Sequence, residues 1–212
     1  MRTPRAFTLV ELIVVMAIIV LLTAVSVPAV NSVLESNQMT QGTRTLSGSL
    51  ALARQTAFAR NCPVVLRFYR YADPVRSGES VNTPSTGRYR AFQMFVDQGG
   101  ARLTAMQKVV RLPSNVVING GALSTVLSAT AQNRTETTAT ASDPVVPGVG
   151  TKYIYQDLLV VPGGGMQLTV NPAPWSLTLM PARYPESLTT PPPNFSTFVL
   201  NPLNGIARLY RP

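Results

Sequence analysis

Glu11 is the only charged residue between Phe7 and Val30, a stretch reading Phe-Thr-Leu-Val-Glu-Leu-Ile-Val-Val-Met-Ala-Ile-Ile-Val-Leu-Leu-Thr-Ala-Val-Ser-Val-Pro-Ala-Val. At ~1.5 Å per helical residue, the stretch is long enough to cross a ~30 Å hydrocarbon layer. An acid at the centre of such a segment costs about 2.5–3.5 kcal/mol on insertion scales, and less near an end. A helix that only anchored the chain would have no use for it. Six residues precede the stretch, with two positive charges, Arg2 and Arg5. By the positive-inside rule they keep the N-terminus in the cytoplasm and send the body of the chain across.

Elsewhere the residues exclude more chemistry than they support. There is no histidine, so His-based triads and His metal sites are out, along with the commonest general base. The single cysteine, Cys62, rules out both an intrachain disulfide and a Cys-rich zinc site, and is read as a small buried apolar residue. The nine acids are scattered, with no carboxylate pair at short spacing. Gly163-Gly164-Gly165 lacks the Lys and Ser/Thr of a phosphate loop and reads as a turn. No catalytic site and no cofactor site is expected.

The basic residues are the second chemical feature. The net charge is +9, and 16 of the 18 basic residues are arginine. Residues 54–111 hold ten Lys or Arg against three acids, Asp73, Glu79 and Asp97. If residues 63–71 and 88–97 pair as a hairpin about a loop at 72–87, one face gathers Arg67, Tyr69, Tyr71, Arg88 and Arg90. A one-residue slip would move half of these to the other face. Arginine interleaved with tyrosine offers phosphate donors and stacking platforms to single-stranded nucleic acid. The plainer reading is a solvated face where Arg stacks on Tyr, or a contact with an acidic neighbouring subunit.

These groups must be positioned by a few elements. Residues 31–61 continue the helix: Met39, Leu46, Leu50, Ala53 and Ala57 line one face. Gly42 and Gly48 lower helix propensity by about 1 kcal/mol each, so the middle is expected to be soft. Asn61 can take a left-handed cap, and Pro63 turns Cys62 away from helical angles. A helix from Phe7 to Arg60 would be about 80 Å long. Beyond it, few charges (13%), 18 Pro and 14 Gly indicate short strands and many turns. Strands are expected at 63–71, 88–97, 107–112, 116–118, 167–170 and 175–180, with a closing hairpin from 195–200 and 205–210. Residues 151–161 fit either a strand or a short helix. Residues 119–150, rich in Gly, Ala, Ser and Thr, read as a flexible insertion. The fold class is α+β: a long N-terminal helix packed on an antiparallel β domain spanning 62–212.

A short basic leader, then Phe-Thr-Leu-Val-Glu, then an apolar run reaching Pro28, resembles the class III signal of type IV pilins and type II secretion pseudopilins. The resemblance implies cleavage by a prepilin peptidase between Ala6 and Phe7 and methylation of the new amino terminus. It implies that Glu11, fifth in the mature chain, pairs with the terminal amine of a neighbouring subunit, and that Pro28 kinks the helix. Ala6 stands where the family usually has Gly; it is the residue nearest in size, so cleavage is still expected. The junction from Ala51 to Phe68 resembles that of the H-type minor pseudopilins and their fimbrial relatives, and also a pseudopilin-like group called Verru_Chthon cassette protein D. Gly87-Arg88-Tyr89-Arg90 resembles a Gly-Arg-x-Arg motif of DNA-binding fimbrial pilins, although theirs lies near the C-terminus and this one is mid-chain.

The expected function is therefore structural: a minor subunit of a type IV pilus or a type II secretion pseudopilus, not an enzyme. Its implied partners are other subunits, the prepilin peptidase, an inner-membrane assembly platform and the lipid of the cytoplasmic membrane. The β domain would lie in the periplasm or outside the cell. Two alternatives stay open: a DNA-binding minor pilin using Arg67, Arg88 and Arg90, and a plain membrane-anchored exported domain. A secretory signal cut after Ala29 is also conceivable, but Glu11 within the apolar core and the short leader argue against it.

Overall fold

A computed structural model describes residues 8–99, 103–127, 136–168 and 174–211, apart from the side chains of residues 25–29 and 31. The chain divides into two units, Met1–Asn37 and Gln38–Pro212. One helix, α1, runs Leu9–Arg60 and contributes to both. In the first unit its large apolar side chains from Leu9 to Leu22 are all 45–73% exposed, so the chain itself does not cover them. A helix that is apolar all round suits apolar surroundings better than a single packed face. Among the described residues no helix is long and apolar enough to cross a membrane. The expected span of residues 7–30 takes in Phe7 and the side chains of residues 25–29, Pro28 included, which lie outside the described residues.

In the second unit the expected stripe is the buried one. Met39, Leu46, Leu50, Ala53 and Ala57 are each 0–1% exposed and join the main core. Gly42 does more than soften the helix. A Cβ there would lie 3.2 Å from Val116 Cγ1 and 3.4 Å from Leu179 Cδ2, so its missing side chain lets helix and sheet approach closely. The helix stops as its sequence requires, with Asn61 at φ 48° in the left-handed region.

Among the described residues ten strands follow: β1 Val64–Tyr71, β2 Arg88–Asp97, β3 Leu103–Ala105, β4 Val110–Arg111, β5 Val116–Ile118, β6 Thr137–Thr138, β7 Ile154–Val160, β8 Trp175–Pro181, β9 Ser196–Leu200 and β10 Ala207–Tyr210. They form one antiparallel sheet in the order β10-β9-β8-β5-β2-β1-β7-β6, with β3 and β4 also paired to β2. Alternation sorts each strand's residues between the two faces. Val64, Leu66 and Phe68 of β1 share the main core with the helix stripe, while Tyr69, Tyr71 and Ala91 pack with Val146 and Tyr153 in a second cluster.

The expected hairpin of β1 and β2 forms, but its register shifts between Tyr69 and Arg70: Tyr69 faces Ala91 and Arg70 faces Tyr89. Arg90 is the extra residue, a bulge that changes which side chains share a face. Gly87 closes the connecting loop. A Cβ there would run into the backbone of Tyr71 and Ala72.

Other expectations need correction. The strand at 107–112 shrinks to Val110–Arg111, because the Gln107 carbonyl accepts the Gln93 side-chain amide (2.8 Å) instead of a ladder bond. The strand at 167–170 reduces to a bridge between Val160 and Met166, where the Met166 N–H donates to the Pro202 carbonyl (2.7 Å); Thr169 and Val170 lie outside the described residues. Within the ambiguous segment at 151–161, Ile154–Val160 is a strand whose residues alternate strictly between buried and half-buried. The described parts of 119–150 are tied into the sheet rather than loose. Asn119 and Ser124 are fully buried, the Ser124 hydroxyl accepts the Thr178 N–H (2.8 Å), and Thr137–Thr138 pairs with β7. Small polar side chains here replace missing ladder partners, a role that gives no periodic signal in sequence.

Candidate functional site

At the N-terminal site the structure brings Glu11 together with Thr8. The Thr8 hydroxyl and N–H both donate to Glu11 Oε2, at 2.8 and 2.9 Å, and the Glu11 N–H donates back to Thr8 Oγ1 at 3.3 Å. Leu12 N–H opens the helical ladder by donating to the Thr8 carbonyl at 3.2 Å. This is a capping box: a Thr before the first turn and an acid three residues on satisfy donors that a helix start leaves over. The carboxylate is thereby held at the helix start, where the dipole favours a negative charge. The Thr-x-x-Glu spacing is the sequence signal of this helix start, and it marks Thr8 as the partner that Glu11's charge alone does not reveal. Ala6 and Phe7 lie outside the described residues, so the expected cleavage point has no described geometry.

The arginine site is dispersed. Arg67 is only 5% exposed. Its Nε and Nη2 donate to the two oxygens of Asp157 (2.8 and 2.9 Å), and its Nη1 donates to Asp143 (3.1 Å). Its guanidinium lies 3.7 Å from the centre of the Tyr155 ring. Arg90 is 6% exposed and donates to Glu79 at 2.6 Å. Arg88 is half-buried and donates Nη1 to the Tyr184 carbonyl at 3.0 Å. Tyr69 and Tyr89 are fully buried, with their hydroxyls donating to Gln93 (2.7 Å) and Glu136 (2.8 Å). Of the residues expected to offer phosphate donors and stacking platforms, Arg67, Arg90 and Tyr69 therefore serve internal contacts. The physical reason is the pull of distant acids: an arginine fork matched to a carboxylate is worth burying, an unmatched one is not.

A neighbouring network repeats the pattern. Arg70 donates to Glu136 (2.9 Å) and Glu186 (2.8 Å), and its guanidinium sits 5.7 Å from the Tyr89 ring centre. Burial drives the Tyr69 and Tyr89 hydroxyls well above their ordinary titration range. Burial also raises the Asp143 carboxyl, but the Thr140 N–H and hydroxyl, with Arg67, outweigh it and hold Asp143 below the ordinary carboxylate range. Among the described residues no three His, Cys, Asp or Glu side chains converge as metal ligands would.

Residues 1–27 match the family described as the prokaryotic N-terminal methylation motif. The chain thus carries a class III signal, at the place where Glu11 caps the long helix. Two solved structures of the minor pseudopilin EpsH from the type 2 secretion system of Vibrio cholerae are similar to this chain. They share 12% and 13% identity, cover 82% of this chain and 97% of the other, and give TM-scores of 0.41 and 0.44. No curated protein matches the chain.

Proposed function

We propose that this chain is a minor structural subunit of a type IV pilus or type II secretion pseudopilus. In this reading a prepilin peptidase removes residues 1–6, and the apolar half of α1 holds the subunit in the cytoplasmic membrane. From there an inner-membrane assembly platform passes it into a filament of like subunits. The observation that carries the reading is the methylation motif over residues 1–27, set on a helix whose apolar side chains the chain leaves exposed. In a filament those side chains would pack against neighbouring helices, and the Glu11 carboxylate would meet a neighbour's methylated amine. In low dielectric such a charge pair counts for more than in water. Thr8 then keeps the acid in position before the partner arrives. The DNA-binding alternative gains nothing from the arginine geometry, since Arg67 and Arg90 lie in internal ion pairs.

The test is Glu11→Ala. The variant should still insert, because removing an acid makes insertion easier, yet it should be absent from sheared filaments. Glu11→Ala filaments containing wild-type amounts of the subunit would overturn the assigned role.

A further inference from the structure

The sheet ends at β10. Among the described residues β10 pairs with β9 alone. The Asn201 N–H donates to the Ile206 carbonyl at 3.0 Å, just before the paired residues Leu200 and Ala207. Bonded and non-bonded pairs alternate along an antiparallel ladder. Counting from that bond, Arg208 and Tyr210 bond to β9, while Ala207 and Leu209 turn their N–H and C=O groups away from it.

The core runs out at the same place. Phe198 and Leu200, paired with Leu209 and Ala207, are buried in the main core. Ala207 packs partly against that core, but Leu209 is 47% exposed. On the opposite face Arg208 is exposed and Tyr210 is 54% exposed, so neither side of the strand is covered. Beyond α1, the exposed large apolar side chains among the described residues are Val75, Val145, Leu203, Ile206, Leu209 and Tyr210. Four of these six belong to one hairpin. That hairpin is held to α1 near both ends: Arg54 Nε donates to the Asn204 carbonyl (2.7 Å), and Arg211 Nη1 donates to Thr40 Oγ1 (2.8 Å). The edge is therefore fixed in place before anything meets it.

Outward N–H and C=O groups at strand spacing are matched by another extended backbone. The two faces then set what that strand carries. An apolar residue opposite Leu209 would extend the core, and an acid opposite Arg208 would match its charge, since among the described residues Arg208 forms no ion pair. A second copy fits less well. It would bring a second Arg208 to the same short edge, and like charges facing each other across strands destabilise pairing. We propose that β10 takes up an extended segment of a partner protein as an added strand, its apolar residues on the Leu209 face and an acid on the Arg208 face. The edge uses no residue of Met1–Asn37, so the proposal stands or falls apart from the assembly role of Glu11.

The experiment measures binding of a fluorescent peptide, in which valine alternates with glutamate and threonine, to the purified full-length chain in neutral detergent. The peptide should bind, and the same peptide N-methylated at its valines should bind about tenfold more weakly, because those amides would face β10. Leu209→Pro should also weaken binding about tenfold: it removes an outward N–H and an apolar contact but no bond to β9. Arg208→Gln should weaken it about threefold, roughly one exposed charge pair, whereas Arg60→Gln, at an exposed helix position, should change it by less than about twofold. Circular dichroism checks folding. The methylated peptide and Arg208→Gln keep the test alive should Leu209→Pro unfold. Absence of peptide binding, or equal binding of the plain and methylated peptides, would overturn the proposal. So would sedimentation showing that the chain dimerises with the same dependence on Leu209, which would make a second copy the occupant.

Discussion

Arg67 shows how a residue's chemistry can be read correctly and its place missed. Its type and its neighbours in β1 pointed to an arginine-tyrosine face, and its guanidinium does lie 3.7 Å from the centre of a tyrosine ring, that of Tyr155. What the sequence did not show is that Asp143 and Asp157, 76 and 90 residues away, close over it. A partner that remote leaves no local pattern, so the arginine looked available. The ion pairs yield a prediction of their own. Arg67→Met should destabilise the β domain by about 2–3 kcal/mol, below the range for a fully buried pair because Asp157 is 32% exposed. Adding Asp157→Asn should recover part of the loss, since the damage lies mainly in the carboxylate left behind. Chemical denaturation of the single and double variants measures it; strictly additive losses would refute the pairing.

The elements were more legible than the contacts. The helix stripe from Met39 to Ala57, the stop at Asn61 and the strands β1, β2, β5, β8, β9 and β10 follow from periodicity and from Asn, Gly and Pro punctuation. Elements held by side chains rather than by ladder bonds escaped, as residues 119–127 show, and so did the two-residue pairing of Thr137–Thr138 with β7. The three glycines at element level differ in what they do, and this can be tested. Gly48 is exposed with nothing within 4 Å of a built Cβ, so Gly48→Ala should raise stability by about 0.5–1 kcal/mol through helix propensity and unfolded-state entropy. At Gly42 the same change should gain nothing, because its Cβ must push Val116 and Leu179. Gly87→Ala should be the damaging one, displacing the turn that aims Arg88 at the Tyr184 carbonyl. Thermal unfolding of the three variants ranks them; a destabilised Gly48→Ala would contradict the account.

The whole molecule combines a long helix that leaves apolar side chains uncovered with a β domain that seals its acids against arginines. Its pH response should follow from that domain. Asp143, held below the ordinary carboxylate range, contributes stability above its unfolded value near 3.9 and loses it as pH falls through the lower folded value. Tyr153, pushed up to about 12 chiefly by burial, contributes in full below its unfolded value near 10 and loses that contribution as pH rises toward 12. With no histidine in the chain, stability should be nearly flat from about pH 5 to 9 and fall on both sides; a step near pH 6–7 in denaturation midpoints would count against this. The central claim concerns the other end of the molecule, that the motif over residues 1–27 is a processing and assembly signal. Mass spectrometry of the native N-terminus tests it most directly. The account predicts a chain that starts at Phe7 with a methylated amine; a chain that keeps Met1, or one that starts at Val30 after an ordinary secretory cut, would contradict it.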